Sequence, residues 1–243
     1  MWKFDPLDLL SFAMRLEGFL SAHEKQRLER FADPTARREF IICRGVLHIL
    51  LSVLSGESDS ALQISEGGRE KPHLDIDGHT HPLAFNISHT DGLCLIACGR
   101  EVELGVDVER IQPLPELAAM ANTYLSPQEL DIWVAVDANQ QIELFYRYWS
   151  AKEALLKAVG CGLSIPPNRV NTLDVLAGKT VCGQQDDGFF FEIEACILEA
   201  LPLEPACAAW LAIFGQPENV YLFDLDAKWV ETAIFSMGRN VEK

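Results

Sequence analysis

A weak internal repeat constrains the fold of this chain more than any other feature of its 243 residues. Two capping-box patterns, Ser21 with Glu24 and Ser126 with Glu129, stand 105 residues apart. In a capping box the serine oxygen accepts a backbone N–H and the glutamate reaches back to the serine, so each pattern marks the start of a helix. Pro127 lies at the first helical position, which proline favours. The chain is therefore predicted to begin the same structural unit twice.

Each copy of the unit continues with a long amphipathic helix. The same offset aligns Phe40 with Phe145, and a Leu-Leu pair further along each copy falls in register. Hydrophobic periodicity predicts the long helices over Arg37–Leu54 and Ile142–Val159, and glycines just beyond each are expected to end them. Few residues are identical at this offset, so the matched order of elements supports the repeat better than identity does.

Strand-like sequence follows each long helix. In the first copy two β-rich segments flank a turn signal at residues 89–92, which predicts a hairpin. The predicted strands are, in chain order, Leu83–Ser88, Leu93–Cys98, Phe189–Leu198, Cys207–Phe214 and Val220–Leu225. We therefore predict an α+β fold of two similar halves, 1–105 and 106–243, each with a long helix packed on an antiparallel sheet.

The composition excludes several classes of function. With 36 acidic and 20 basic residues the net charge is −16, so the chain is a poor general binder of nucleic acid. Phosphate chemistry would have to use a few local bases or a metal ion. No segment reaches the roughly 18 apolar residues of a membrane span, and the N-terminus lacks the basic start of a signal peptide. Seven cysteines without a CxxC pair predict reduced thiols in a cytoplasmic protein.

The first candidate for chemistry is the pair Asp107 and Glu109. Val106 and Val108 alternate with them, so a strand would place both carboxylates on one face. Two neighbouring acids repel each other, and a divalent cation such as Mg²⁺, which prefers oxygen ligands, would relieve that repulsion. A solvated edge strand is the alternative explanation of the same pattern.

Two further segments carry candidate site residues. Glu153 and Lys157 are one helical turn apart, and Lys152 adjoins Glu153. They form either a solvent-facing ion pair or one wall of a site. His89 follows Asn86 and Ser88 at the predicted end of a strand, where it is either a turn residue or a group that contacts phosphate.

These segments together resemble the Sfp-type group of the 4′-phosphopantetheinyl transferase superfamily. The family motifs F-N-x-S-H, G-x-D-x-E and W-x-x-K-E-x-x-x-K correspond to residues 85–89, 105–109 and 149–157. Residues 70–72 match the family's G-K-P, with Glu70 in place of the glycine, and residues 162–166 supply a fifth match. The resemblance spans roughly residues 20 to 215, and it implies two halves related by a pseudo-twofold axis.

The resemblance implies an Mg²⁺-dependent transfer of 4′-phosphopantetheine from coenzyme A to a serine of an apo acyl or peptidyl carrier protein, releasing adenosine 3′,5′-bisphosphate. By this resemblance Asp107, Glu109 and Glu153 would bind the metal, for which Mn²⁺ is also open. Asp107, Glu153 and Lys157 would be catalytic. Glu153, or a metal-bound water that it orients, would be the base for the carrier serine.

The resemblance also implies a set of contacts to coenzyme A, in a cleft between the halves with the metal on the side of the second half. The expected contacts are Arg38, Arg44, Lys71, Ser88, His89, Lys152 and Lys157. Arg37 is a further candidate. His48 occupies a position where relatives often have arginine, so one phosphate contact is expected to be weaker or pH-dependent.

The partner surface and the rival functions are less defined by the sequence. Residues 113–125 are predicted to form a loop and short helix peculiar to the second half, which either contacts the carrier protein or packs into the core.

A different metal-dependent phosphotransfer enzyme and a non-catalytic binding protein are the alternatives to the transferase. The motif lysines and carboxylates favour the transferase, expected as a cytoplasmic monomer, while the carrier that it serves stays open.

Overall fold

The computed structural model describes residues 1–65, 71–160, 165–184, 190–193, 196–204 and 206–237. Its helices are α1 (Ala13–Glu17), α2 (Ala22–Leu28), α3 (Pro34–Ser55), α4 (Leu117–Tyr124), α5 (Pro127–Ala135), α6 (Ala138–Val159), α7 (Thr172–Leu176) and α8 (Ala227–Ser236). Its strands are β1 (Trp2–Phe4), β2 (Leu62–Ser65), β3 (His73–Ile76), β4 (His79–Thr80), β5 (Leu83–Thr90), β6 (Leu93–Arg100), β7 (Glu103–Arg110), β8 (Val181–Gln184), β9 (Phe190–Ile193), β10 (Ile197–Ala200), β11 (Cys207–Phe214) and β12 (Phe223–Asp224). Across these described ranges, no helix is both long and apolar enough to cross a bilayer.

Both predicted capping boxes are confirmed, at the starts of α2 and α5. The long helices α3 and α6 end as predicted at Gly56 and Gly160, whose φ angles of 80° and 79° are left-handed. Both helices begin earlier than hydrophobic periodicity indicates. The side chain of Asp33 caps α3 by accepting from two backbone N–H groups, and the following Pro34 occupies the first helical position. These polar first turns carry no apolar stripe, so periodicity alone misses them.

The strands form two principal sheets. A four-stranded sheet has the order β12-β1-β6-β5, in which β1 and β12 are parallel and the other pairs are antiparallel. A three-stranded antiparallel sheet has the order β10-β11-β7. The predicted hairpin is β5–β6, with Thr90 opposite Leu93, so only Asp91 and Gly92 form the turn. His89 therefore lies within a strand, contrary to the expected position on a turn.

Two predicted strands are shorter or divided in the structure. The segment predicted over Phe189–Leu198 contains the separate strands β9 and β10, which belong to different sheets. Of the segment Val220–Leu225, only β12 is a strand. The predicted α+β class is confirmed, with α3 packed on the first sheet and α6 on the second.

The alternating side chains of β6 and β7 build the layers of the core. Cys94 and Ile96 of β6 face α3, whereas Leu95 lies in an apolar layer shared with Val106 and Val108 of β7. The remaining side of β7 faces α6. The division at residue 105 stays a prediction, and two features cross it. Strand β7 runs through it, and β12 and α8 return to pack with the first sheet and with α3.

Gly105 allows α6 to lie directly on β7. A Cβ atom at this position would be 2.2 Å from the carbonyl oxygen of Ala154 and 2.4 Å from the backbone nitrogen of Ala158. Both contacts are with backbone, so no side-chain rotation could relieve them. The close approach brings the α6 side chains down to the carboxylates that follow Gly105 on β7.

We predict that Gly105→Ala lowers the free energy of unfolding by at least about 3 kcal/mol, because the methyl group must push α6 away from β7. Gly178→Ala is the matched control, since its Cβ would meet nothing within 4 Å and its cost is that of the left-handed backbone, about 1–2 kcal/mol. Urea denaturation measures both variants. Equal losses would contradict the close helix–strand contact.

Candidate active site

Three side chains from β5, β7 and α6 meet at one buried point. Lys157 Nζ of α6 is 2.7 Å from Oδ1 of Asp107 on β7. The hydroxyl of Ser88, on β5, donates to the same oxygen at 3.0 Å. Asp107 is 3% exposed, so a charge in this position requires such partners. Residues of both predicted halves therefore contribute to the centre.

A ladder of side chains holds β7 against β5. Asn86, Ser88 and Thr90 of β5 accept from the backbone N–H groups of Val106, Val108 and Arg110, at 3.0, 3.3 and 3.3 Å. The spacing of two residues on both strands matches the period at which strand side chains and backbone groups repeat. These hydrogen bonds satisfy three N–H groups on the edge of β7 that does not pair with β11.

Glu109 and Glu153 surround Asp107 and are partly buried. Burial, followed by the charges of Asp107 and Glu153, raises the pKa of Glu109 to about 7, against the opposing effect of Lys157. Burial and then Asp107 likewise raise the pKa of Glu153, while Lys157 lowers it. Oδ2 of Asp107 is buried and has no hydrogen-bond partner among the described residues. The centre thus has more negative charge than Lys157 balances.

The carboxylates do not form a ready-made metal site as they stand. Among the residues that the structure describes, no group of three or more His, Cys, Asp or Glu side chains is arranged to hold a metal ion. The unpartnered Asp107 oxygen and the raised pKa values of its two neighbours nevertheless fit an oxygen-ligated divalent cation, because such an ion would remove both penalties.

We predict that Glu109→Gln makes the metal-free protein more stable at pH 8, by about 1 kcal/mol after allowance for solvent screening. The folded protein keeps a proton on Glu109 up to a pKa of about 7, whereas the usual value is 4.5. Its contribution to stability is therefore complete below pH 4.5 and is lost as the pH rises through 7. Unfolding in EDTA between pH 4 and 9 measures this, with the exposed Glu218→Gln as control. A constant difference across this range would contradict the raised pKa.

A cationic cavity of about 770 Å³ opens beside the centre. Its lining residues are His23, Arg27, Arg30, Phe40, Cys43, Arg44, Pro72, Ile87, Ser88 and His89. The expected contacts Arg44, Ser88 and His89 are thus brought together. His23, Arg27 and Arg30 were not expected from the motifs. His23 and Arg27 lie one turn apart on α2, and Arg30 follows the end of that helix.

Glu24 anchors the inner wall of this cavity. Its carboxylate, 1% exposed, pairs with Arg44 Nε and lies 2.8 Å from His48 Nε2. Burial opposes the charge on His48, but the carboxylates of Asp59 and Glu24 outweigh it and raise the pKa of His48. His48 is buried behind Glu24 and does not line the cavity, so it takes no part in a direct phosphate contact.

Two arginines of α3 differ from expectation. Arg38, expected to contact coenzyme A, is exposed and lies outside the set of residues that line the cavity. Arg37 pairs with Glu17 at 3.1 Å. Arg37 also lies outside the set of residues that line the cavity.

Lys152 is also not a phosphate contact. Its side chain is 0% exposed, and its ammonium pairs with Glu129 at 2.7 Å and donates to the carbonyls of Pro167 and Val170. Glu129 is equally buried, and it also accepts from the backbone and hydroxyl of Thr172. Burial lowers the pKa of Lys152, and Glu129 opposes that effect. The expectation fails because this face of α6 turns into the core.

We predict that Lys152→Met lowers the free energy of unfolding by about 3–5 kcal/mol, because it leaves the charge of Glu129 buried without a partner. Adding Glu129→Gln should recover part of this loss, since the amide keeps hydrogen-bonding capacity without the charge. Denaturant unfolding of the single and double variants measures the coupling. Additive losses in the double variant would contradict the ion pair.

Lys71 likewise engages protein groups rather than the cationic cavity. Its ammonium pairs with Glu103 and donates to the carbonyl of Ala158 at 3.1 Å, near the end of α6. It lines a second cavity of about 680 Å³, with Pro72 common to both. Glu70 and residues 162–164 of the other matched motifs lie outside the described residues.

Comparison with known proteins places these features in a family. The family model of the 4′-phosphopantetheinyl transferase superfamily matches residues 103–210. The chain is 32% identical over 165 residues to the 4′-phosphopantetheinyl transferase HetI of Nostoc sp., covering 68% of this chain and 69% of that protein. It is 30% identical over 172 residues to the 4′-phosphopantetheinyl transferase Sfp of Bacillus subtilis, covering 64% and 72%. A crystal structure of a Bacillus anthracis holo-(acyl-carrier-protein) synthase covers 46% of this chain and 93% of its own at 17% identity, with a TM-score of 0.33 that is too low to bear on the fold.

The chain belongs to the 4′-phosphopantetheinyl transferase superfamily, as the extent of its identity to HetI and Sfp shows. The resemblance and the enzyme type predicted from the motifs are thereby confirmed.

Proposed function

We propose that this protein transfers 4′-phosphopantetheine from coenzyme A to a serine hydroxyl of an apo acyl or peptidyl carrier protein, releasing adenosine 3′,5′-bisphosphate. One observation carries the proposal. A cavity lined by cationic side chains leads, through the adjacent residues Ser88 and His89, to the buried centre of Asp107 and Lys157. A substrate with both an adenosine bisphosphate portion and a pyrophosphate has the charge and length to occupy both places.

The cationic cavity would bind the nucleotide portion of coenzyme A. Arg44 has its Nε held by Glu24, which fixes the planar guanidinium at the cavity wall. Arg27 and Arg30 add positive charge around the same space, and His89 lines it as well. In a protein of net charge −16, such a local cluster makes the site attractive to phosphate where most of the surface repels it.

Asp107, Glu109 and Glu153 would hold Mg²⁺ together with the pyrophosphate, and Mn²⁺ would serve the same ligands. The buried, unpartnered Oδ2 of Asp107 supports this assignment. When bound, the ion would neutralise negative charge on the pyrophosphate oxygens as the bond to the leaving group breaks.

The side chains of α6 would handle the proton and the leaving group. The raised pKa of Glu153, caused by burial and Asp107, suits a base for the carrier serine hydroxyl. The serine oxygen would attack the phosphorus that carries pantetheine, and adenosine 3′,5′-bisphosphate would leave with the bridging oxygen. Lys157, 30% exposed beside Asp107, would stabilise the charge on that oxygen.

The carrier surface stays a separate proposal. The short helix α4 lies in the segment 113–125, but Leu117, Met120 and Tyr124 pack partly buried against the aromatic cluster around Phe145. These side chains therefore pack in the core, and only their exposed portions would contact a carrier.

We also propose that the protein works as a monomer, because both predicted halves of one chain line the site. The seven cysteines without a CxxC pair support a cytoplasmic location.

The transferase proposal predicts a mass gain of one phosphopantetheine on an apo carrier protein incubated with this protein, coenzyme A and Mg²⁺. Intact mass spectrometry of a panel of fatty-acid, polyketide and peptide carriers measures it and identifies the carrier served. Asp107→Ala should reduce the rate at least about a hundredfold, while the exposed Glu218→Gln leaves it unchanged. If no carrier gains mass, the proposed function is wrong, and unchanged transfer by Asp107→Ala removes that residue from the site.

A further inference from the structure

The side-chain ladder contains a residue whose role differs from the one expected of it. We propose that Ser88 is a positioning residue for Asp107, which presents Oδ2 of that carboxylate to the metal ion, and that it does not bind coenzyme A phosphate. The inference rests on the proposed function, because it assigns Asp107 to a divalent cation. It separates the two members of the motif, since the neighbouring His89 is exposed in the cationic cavity.

The hydroxyl of Ser88 uses its full hydrogen-bonding capacity within the protein. A hydroxyl has one donor and two acceptor sites. Ser88 donates to Asp107 Oδ1 at 3.0 Å and accepts from the backbone N–H of Val108 at 3.3 Å and from Lys157 Nζ at 3.2 Å. The residue is 8% exposed, so it lines the cavity with little surface. The Ser88 hydroxyl therefore has no further donor for a phosphate oxygen.

Asp107 is held asymmetrically by these contacts. Its Oδ1 accepts from both Ser88 and Lys157, whereas Oδ2 is buried and has no hydrogen-bond partner in the part of the chain that the structure describes. A buried carboxylate oxygen without a partner is costly, so a further positive group within reach would stabilise the arrangement. The orientation that Ser88 imposes therefore leaves Oδ2 as the atom available to an incoming cation.

The rest of the ladder fixes the strand on which Asp107 lies. Asn86 and Thr90 bind the backbone of β7 on either side of the Ser88 contact, so β7 cannot slide along β5 without losing all three hydrogen bonds. Among the three ladder residues, Ser88 alone also contacts Asp107. Removal of Thr90 should thus weaken the strand contact without turning the carboxylate, which makes it a matched control.

The test compares Ser88→Ala, Ser88→Thr and Thr90→Val in the full-length protein. Mn²⁺ affinity is measured by electron paramagnetic resonance, and the affinity for adenosine 3′,5′-bisphosphate is measured by calorimetry in EDTA. Removing a residue that orients a metal ligand costs about 10–100-fold in metal affinity. We expect that loss for Ser88→Ala, with bisphosphate affinity within about twofold of wild type. Ser88→Thr, which keeps the hydroxyl, should restore most of the Mn²⁺ affinity, and Thr90→Val should leave it unchanged.

Each alternative outcome overturns the proposal in a different way. Weakened bisphosphate binding with unchanged Mn²⁺ affinity in Ser88→Ala would make Ser88 a phosphate contact. Equal losses of Mn²⁺ affinity in Ser88→Ala and Thr90→Val would show general loosening of β7 instead of a specific orientation of Asp107. Wild-type protein that modifies a carrier but binds no Mn²⁺ would refute the positioning role and leave the transferase standing. Wild-type protein that does neither would refute both.

Discussion

Backbone N–H groups along the edge of β7 that faces β5 donate to side chains of β5, and much of the site depends on this contact. On one side β7 pairs with β11 over eight residues, and on the other its N–H groups meet Asn86, Ser88 and Thr90. An unpaired strand edge buried against a neighbour would leave its polar groups without partners. Because side chains make this contact, β5 and β7 lie next to each other but belong to different sheets. Asp107 and the cationic cavity can therefore lie close together at their junction.

A second interaction occurs once in each predicted half. The capping-box residues Glu24 and Glu129 are almost fully buried, and each closes a helix start while pairing with a cation from the long helix that follows. Glu24 pairs with Arg44, which lines the cavity, whereas Glu129 pairs with Lys152 inside the core. The same pairing of a capping-box glutamate with a cation thus holds a cavity-lining arginine in one half and a core lysine in the other.

The distribution of charge explains how so acidic a chain suits a phosphate-rich substrate. Burial, followed by the charges of neighbouring carboxylates, raises the pKa values of Glu109 and Glu153, so the centre favours a cation. Beside it, the cavity brings together Arg27 of α2, Arg30 just after α2, and Arg44 of α3. Adjacent regions of opposite sign would hold a metal and a nucleotide side by side, as the proposed reaction requires. Burial of Asp107 gives the carboxylate centre more effect than surface charges would have.

The sequence by itself determined the two capped helices, the ends of the long helices, the β5–β6 hairpin and the family. Capping boxes, the glycines that end the long helices and the Asp-Gly turn act through neighbouring residues, so their patterns are visible along the chain. Only the tertiary structure decided which groups the side chains of Lys152, Lys71 and Ser88 contact. A lysine in a motif has the same spacing whether its ammonium meets a phosphate, a buried Glu129 or a carbonyl at the end of α6. Those partners are brought into place by packing, because the face of a helix or strand that is buried depends on segments far away in the chain.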